Sequence, residues 1–195
     1  SAAKPGEQVI DLCAGAGGKT LALAAMMQGK GRLIATDHDK RQLAPIHERL
    51  SRAGVHNAEV RNPRGDDDPL ADIRGSADLV LIDAPCTGTG TWRRNPDARL
   101  RLTEQDLAEL TIKQAEILDR AQKLVKPGGK LVYATCSVLQ DENEAQTEAF
   151  MARHPEFTPL PLEAPEALRG SPNLRLFPAQ HGTDGFFAAV MVRAR

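Results

Sequence analysis

Short apolar runs alternate with longer amphipathic stretches along this chain, and the alternation predicts the fold. The runs are rich in branched side chains, which is typical of strands buried on both faces of a parallel sheet. The predicted strands are residues 8–12, 32–36, 58–61, 79–82, 130–135, 175–178 and 185–192. The last two are expected to pair as a hairpin across residues 180–184, which makes that end of the sheet antiparallel.

The stretches between these strands carry apolar side chains at helical spacing. The predicted helices are residues 21–27, 40–53, 103–124 and 142–153, and the predicted turns or irregular segments are 62–75, 91–102, 126–129 and 156–175. Pro45 lies inside the second helix and favours a kink or a late start there. Thr103 and Asp106 are placed as an N-cap pair. Strands that alternate with helices in this way predict an α/β protein with a doubly wound sheet.

The composition limits the class of protein. A chain of 195 residues is long enough for a sizeable core, and we expect one domain over residues 1–195. Its 25 basic and 26 acidic side chains leave a net charge of −1, so any contact with nucleic acid must come from a local patch or from another domain. No apolar run approaches the roughly 20 residues of a membrane span. Three cysteines without metal-ligand spacing argue against a disulfide framework and a metal site. We expect a cytoplasmic monomer without membrane or metal partners.

One buried strand ends in a group of chemically active residues. The run 79–82 is wholly apolar, and Asp83, Pro85 and Cys86 follow it before the flexible loop 87–90. In open α/β sheets, ligands bind just beyond the carboxyl ends of the strands. We therefore expect a carboxylate, a rigid proline and a thiol to line a site at this position.

The first strand leads into a glycine-rich turn at residues 13–20, CAGAGGKT, followed by an apolar helix. This arrangement lets the backbone approach a ligand and aims helix N–H groups at it. The turn lacks the full G-x-G-x-x-G of dinucleotide enzymes, and Cys13 replaces the first glycine of the phosphate-binding G-x-x-x-x-G-K-[ST]. Asp37 ends the second strand about 20 positions later, where a ribose-binding carboxylate belongs. These exclusions leave S-adenosylmethionine, an adenosyl ligand without phosphates, as the best candidate cofactor.

Two thiols, Cys86 and Cys136, lie just past the ends of apolar strands. If those strands are neighbours, both thiols face the same crevice. Methylation of carbon 5 of cytosine is a reaction that uses two thiols, because that carbon is a poor nucleophile until a thiolate adds to carbon 6. One thiol can form this adduct while the other helps its release, and Asp83 can hold the base edge. Cys13 fits a space-filling role about as well as a functional one.

Four segments carry a family resemblance: DLCAGAGGKT (11–20), DAPCTGTGTWRRNPD (83–97), KPGGKLVYATCSVLQDENE (126–144) and LRLFPAQHGTDGFFAAVMVR (174–193). Together they resemble the Sun/Fmu type of RNA cytosine-5 methyltransferases, the RsmB-like members of the Nol/Nop/Sun family. The resemblance covers most of the chain. It implies a Rossmann-like S-adenosylmethionine-dependent methyltransferase fold. In that fold a mostly parallel seven-stranded sheet has helices on both faces and an antiparallel C-terminal strand.

The resemblance also implies roles for individual residues. The cysteine of the family's T-C-S motif is the nucleophile, which corresponds to Cys136, and the P-C cysteine assists product release, which corresponds to Cys86. Asp83 belongs to the same catalytic set. The residues that correspond to the family's cofactor site are Cys13, Ala14, Gly15, Ala16, Gly17, Gly18, Lys19, Asp37 and Asp83. The implied substrate is RNA, either rRNA or tRNA.

The chain departs from the family pattern in two places. After the third strand the family has an aspartate that reaches the adenine. Here Asn62 stands nearest to that position, and Asp66 is the alternative. The family's N-terminal RNA-binding extension is also missing, and we expect the chain to be a fragment of a longer protein.

Substrate contacts are expected from Pro85 and from a basic segment beyond Cys86. Arg93, Arg94, Arg99 and Arg101 cluster there, and beside a nucleic-acid site they favour phosphate contacts, above all for Arg93 and Arg94. Trp92 either stacks on a base or packs against its own loop. The target base would have to be unpaired or flipped to reach the site.

Two other functions remain open. An amino-group methyltransferase needs an (Asn/Asp)-Pro-Pro-aromatic loop and no thiol, and the Asp-Ala-Pro-Cys of residues 83–86 lacks the second proline and the aromatic residue. A non-catalytic module that binds cofactor and RNA is the other alternative. The pair of thiols argues against it, and the altered adenine position leaves it open.

Overall fold

The computed structural model describes residues 3–62, 68–161 and 173–195. These residues pack as two compact units. The first unit contains residues 1–83, 121–131 and 195, and the second contains residues 84–120 and 132–194, in each case within the described ranges. One catalytic domain over residues 1–195 stays a prediction.

The first unit is built on parallel strands. They are β1 (Gln8–Asp11), β2 (Arg32–Thr36), β3 (Ala58–Arg61) and β4 (Ala77–Asp83), in the order β3-β2-β1-β4, with β5 (Val125–Thr135) beside β4. The pairs β1–β2, β2–β3 and β1–β4 are all parallel. The apolar side chains of β1, β2 and β4 are almost fully buried except Leu81, which is partly buried. This burial is why these strands are continuous apolar runs in the sequence. The predicted parallel α/β arrangement is confirmed.

Three helices connect these strands: α1 (Gly18–Met26), α2 (Lys40–Leu43) and α3 (Ile46–Arg52). The single helix expected over residues 40–53 is two helices, and Pro45 is the reason. A proline inside a helix lacks the N–H that the preceding turn needs and clashes with it, so α2 stops at Leu43 and α3 begins after Pro45. Asp39 caps α2 by accepting a hydrogen bond from the Arg41 N–H at 2.9 Å.

The second unit contains antiparallel strands. The second half of β5 is followed in space by β8 (Phe186–Arg193) and β6 (Phe157–Pro159), and β7 (Leu174–Leu176) also pairs with β8. Both β6 and β7 run antiparallel to β8. The predicted antiparallel C-terminal strand is therefore confirmed. The described residues contain eight strands instead of seven, because β6 forms in a segment that we expected to be irregular.

The remaining helices are α4 (Pro96–Arg101), α5 (Glu104–Ala121), α6 (Glu144–Arg153) and α7 (Pro178–His181). Two predictions were wrong here. The basic segment 91–102 is not all loop, since α4 begins with a proline at a position where a helix needs no N–H donor. The segment 126–129 is not a free turn, because β5 already begins at Val125. The capping pair before α5 is confirmed: the Asp106 N–H donates to the Thr103 hydroxyl, which itself donates to the Asp106 carboxylate at 2.7 Å.

Candidate active site

The parallel strands of the first unit end along one edge, and the register shows which side chains meet there. Asp11 of β1 lies opposite Ala35 of β2 and Leu81 of β4, and Thr36 lies opposite Arg61 of β3. Because parallel strands end at the same side, the residues that follow them share this edge. The structure thus places Asp37, Asn62 and Asp83 at the edge where we predicted a cofactor.

The glycine-rich turn is tied to Asp37 by its backbone. The Gly15 N–H donates to Oδ2 of Asp37 at 2.9 Å, and the Asp39 N–H donates to Oδ1 at 3.0 Å. The Ala14 N–H donates to the Thr36 carbonyl at 3.0 Å, and the Arg49 guanidinium donates to the Ala16 carbonyl at 2.9 Å. Asp37 therefore organises the turn, in addition to any contact it makes with a ribose.

Gly17 shows why this turn needs glycine. Its φ is +83°, which L side chains rarely adopt, and an added Cβ would lie 2.5 Å from Cγ1 of Ile46. The N-terminus of α1 can therefore pack this closely against the Ile46 side chain of α3 only if residue 17 is glycine. The positions of Gly15 and Gly18 are different, because a Cβ on either would meet no atom within 4 Å. This open space above the turn fits a ligand held against the backbone.

Lys19 and Asp83 form an ion pair at the same edge, with both side chains a little over one third exposed. The ammonium contacts Oδ2 of Asp83. These opposite charges suit the ammonium and carboxylate of an amino-acid moiety such as that of S-adenosylmethionine. Cys13 is partly buried, and it too contacts neighbouring groups.

The residue that would contact the adenine stays a prediction. Asn62 follows the last residue of β3 and is exposed at the edge of the sheet. This position allows its amide to reach a ligand there. The alternative, Asp66, lies outside the described residues.

Asp11 is a buried carboxyl that sequence reasoning missed. Its Oδ2 accepts a hydrogen bond from the Thr20 hydroxyl at 2.7 Å, and its Oδ1 has no hydrogen-bond partner in the described part of the chain. Burial raises the pKa of this carboxyl from 3.8 to about 6, against the opposing effect of the Thr20 hydrogen bond. A polar residue inside the apolar run of β1 was the available signal.

Replacing Asp11 with asparagine is expected to change how stability depends on pH. Between about pH 4 and 6 the folded protein keeps a proton on Asp11 that the unfolded chain has released, so this contribution is lost as the pH rises through the folded pKa of about 6. Asp11→Asn keeps an acceptor for Thr20 and removes the ionisation. We expect the variant to gain on the order of 3 kcal/mol over wild type as the pH rises from 4 to 7. Urea denaturation at both pH values measures it, and parallel pH curves for the two proteins would contradict it.

The two thiols are brought together in the second unit. Sγ of Cys86 lies 3.4 Å from Sγ of Cys136, as expected for cysteines at the ends of neighbouring strands. The hydrogen bond with Cys136, followed by burial, raises the pKa of the Cys86 thiol well above its usual range. This direction favours the protonated form of Cys86, whose S–H is within hydrogen-bond distance of the Cys136 sulfur.

Two glycines let the loops around these thiols approach closely. The Gly90 N–H donates to the Cys136 carbonyl at 2.9 Å, and the Gly185 N–H donates to the Gly90 carbonyl at 2.8 Å. A Cβ on Gly90 would lie 2.3 Å from the Gly185 oxygen and 2.8 Å from the Cys136 oxygen. Only backbone without side chains fits at this contact, so glycine is needed at both positions for these loops to meet.

The arginines predicted to bind substrate meet an acidic partner that had no assigned role. Nε of Arg94 lies 2.5 Å from Oδ2 of Asp184, and the Arg93 guanidinium lies 3.4 Å from Oδ1. Both arginine side chains remain about two thirds exposed, so their outer faces are accessible. Arg99 lies over the Trp92 ring, 5.9 Å from its centroid. This contact favours packing of Trp92 within its own segment over stacking on a base.

The described ranges contain neither a membrane-spanning helix nor a metal site. No helix there is long and apolar enough to cross a membrane. No group of three or more His, Cys, Asp or Glu side chains is placed to hold a metal ion.

Sequence comparison identifies relatives over nearly the whole chain. A model of the family described as 16S rRNA methyltransferase RsmB/F matches residues 2–192. Ribosomal RNA small subunit methyltransferase B of Erwinia tasmaniensis is 41% identical over 195 residues, which cover 98% of this chain and 43% of the relative. The chain therefore spans less than half the length of such relatives.

Solved structures agree with the sequence comparison. The crystal structure of PH0851 has a TM-score of 0.89 and 40% identity, covering 96% of this chain and 43% of that one. NSun6 from Pyrococcus horikoshii, solved with SFG, a S-adenosylmethionine analogue, has a TM-score of 0.85 and 30% identity, covering 98% of this chain and 49% of that one. These neighbours confirm the Rossmann-like methyltransferase fold and S-adenosylmethionine as the cofactor. The chain belongs to the RsmB/F family of 16S rRNA methyltransferases.

Proposed function

We propose that this chain is the catalytic domain of an rRNA methyltransferase that modifies carbon 5 of cytosine. The observation that carries the proposal is the pair of thiols 3.4 Å apart at Cys86 and Cys136. Methyl transfer to a nitrogen or oxygen needs no thiol, because those atoms already have a lone pair. A second thiol in contact with the first matches a reaction that both forms and breaks a carbon–sulfur bond.

Cys136 acts as the nucleophile in this proposal. Its thiolate adds to carbon 6 of the base, and the electrons moved to carbon 5 make that atom nucleophilic enough to take the methyl group. S-adenosylmethionine supplies the methyl group when it is bound. A water molecule then takes the proton on carbon 5, and the electrons of that C–H bond re-form the double bond between carbons 5 and 6. The bond between carbon 6 and sulfur breaks at the same time, and its electrons return to Cys136 as a thiolate. Asp83 holds the base edge and stabilises the protonated ring.

Cys86 assists the second half of the reaction. Its raised pKa keeps it as a thiol next to Cys136, so its S–H can hydrogen-bond to the departing sulfur. The thiolate of Cys136 is stabilised by this hydrogen bond, and breaking the carbon–sulfur bond becomes easier. The raised pKa of Cys86 and its contact with Cys136 thus support a division of labour between the two thiols.

The first unit holds the cofactor in this proposal. Backbone of residues 13–18 lies against it, Asp37 takes the ribose, Asn62 takes the adenine, and Lys19 with Asp83 takes the amino-acid end. In the second unit, Pro85 contacts the base, and Arg93 and Arg94 contact phosphates. Asp184 orders both guanidinium groups before RNA arrives, so less side-chain entropy is lost on binding.

A methyl-transfer assay tests the proposal. The protein is incubated with labelled S-adenosylmethionine and unmodified 16S rRNA, and the nucleosides are separated after digestion. We expect the label in 5-methylcytidine. Label in any other nucleoside contradicts the carbon-5 reaction. The assay is repeated with the part of a full-length relative that this chain does not span. If the protein binds cofactor and RNA but transfers no methyl group in either assay, the result supports the non-catalytic module.

A further inference from the structure

Two adjacent residues of the second unit, Glu142 and Asn143, are buried polar groups that the reaction scheme does not use. Glu142 is 0% exposed and Asn143 is 1% exposed. Buried polar side chains are costly unless they are fully hydrogen-bonded. Their partners therefore indicate what they do. Apart from Gln114 of α5, the side-chain partners of each residue belong to a different cysteine loop.

Glu142 binds the loop that carries Cys86. Its Oε1 accepts a hydrogen bond from the Thr87 N–H at 2.8 Å, and its Oε2 accepts one from the Thr87 hydroxyl at 2.5 Å. The Gln114 amide donates to Oε1 at 3.0 Å and to the Pro85 carbonyl at 2.9 Å. Residues on both sides of Cys86 are thus held by one carboxylate, directly or through Gln114.

Asn143 binds the loop that carries Cys136. Its Oδ1 accepts a hydrogen bond from the Thr135 hydroxyl at 2.6 Å, and its Nδ2 donates to the Ser137 carbonyl at 3.0 Å. These two partners are the residues immediately before and after Cys136. The same arrangement therefore occurs twice, with one buried side chain bracketing each cysteine.

We propose that Glu142 and Asn143 are positioning residues that set the separation of the two thiols. Neighbours in the chain cannot move far apart, so the loops that they hold keep a constant distance. Tyr133 anchors the pair from β5, since its hydroxyl donates to the Glu142 carbonyl at 2.7 Å. The proposal rests on the proposed function only in that both thiols act in one reaction.

The carboxylate of Glu142 accepts all three of its hydrogen bonds. Glutamine has the same shape but carries an N–H₂ group in place of one oxygen, so the Thr87 hydroxyl must turn from donor to acceptor and the other two contacts lose the negative charge that strengthens them. The cost falls on the Cys86 loop, since Thr87 and Gln114 are the groups that bind this side chain. Asp141, in the same turn, is exposed and provides a matched control.

Thiol separation is measured with dibromobimane, a reagent that becomes fluorescent when it links two sulfurs. The reaction is followed on the native protein without cofactor or RNA, and the linked peptides are located by mass spectrometry. We expect Glu142→Gln to slow linkage of Cys86 to Cys136 roughly tenfold, because small displacements of paired groups cost rate steeply. Asp141→Asn should match wild type. Alkylation of Cys13 and the melting temperature report whether the fold is retained.

Two further variants keep the test decisive. Asn143→Asp retains the acceptor for Thr135 and loses the donor to Ser137. Thr87→Val loses the hydroxyl donor to Glu142 and the longer contact of the same hydroxyl with the Ser137 hydroxyl, at 3.5 Å. Each should also slow the linkage, and Thr87→Val replaces Glu142→Gln if that variant does not fold.

Linkage within twofold of wild type in the folded variants would overturn the positioning role. Faster alkylation of all three cysteines would overturn it too, since that indicates general loosening. Slower linkage in the variants, together with no methyl transfer by the wild-type protein, would refute only the proposed function.

Discussion

Replacing Cys136 with alanine is expected to abolish methyl transfer. Without a sulfur to add to carbon 6, carbon 5 of cytosine remains too weak a nucleophile to take the methyl group. Loss of a nucleophile in covalent catalysis typically lowers the rate by about 10⁴-fold or more. The side chain is part of the contact with Cys86 and is only partly buried, so the fold should tolerate the truncation. Transfer of label from S-adenosylmethionine to rRNA measures the loss.

The same variant should still bind its cofactor, because the residues proposed to hold the cofactor belong to the first unit. Calorimetric titration with S-adenosylmethionine provides this control. RNA containing 5-fluorocytosine gives a second readout, since fluorine at carbon 5 cannot leave as a proton and traps the adduct. Wild type should form this adduct and Cys136→Ala should not. Methyl transfer by Cys136→Ala at more than about one per cent of the wild-type rate would contradict the nucleophile assignment.

Replacing Cys86 with alanine is expected to leave the protein covalently attached to RNA. Cys136 can still add to carbon 6 and the methyl group can still be transferred. Release is slowed because the departing sulfur of Cys136 has lost its hydrogen-bond donor 3.4 Å away. A complex with unmodified RNA that survives denaturing electrophoresis should accumulate with Cys86→Ala and be scarce with wild type.

The double variant Cys86→Ala/Cys136→Ala is the control for this result, and it should form no such complex. A stable complex with Cys136→Ala in place of Cys86→Ala would exchange the roles of the two thiols. The two substitutions therefore assign both roles independently of the family resemblance.

The sequence by itself determined the parallel sheet, the glycine turn and the choice of cofactor. These features are local: a buried strand is a short apolar run, and a turn that needs φ of +83° at Gly17 needs glycine there. Asp37 was predictable for the same reason, since it follows directly from the end of β2. The T-C-S and P-C motifs around Cys136 and Cys86 indicated the chemistry because few reactions use two thiols.

Only the tertiary structure decided how these residues are held. Glu142 lies 55 positions from Thr87, and Asp184 lies 91 positions from Arg93, so no local pattern reveals that they bind. In the sequence, Glu142 looks like an ordinary surface carboxylate, and only its place in an apolar run marks Asp11. Burial, which depends on how distant segments pack, converts one into an anchor for the Cys86 loop and gives the other a pKa of about 6. Apolar periodicity and turn chemistry act within a few residues, whereas hydrogen-bond partners and desolvation arise only when the chain has folded.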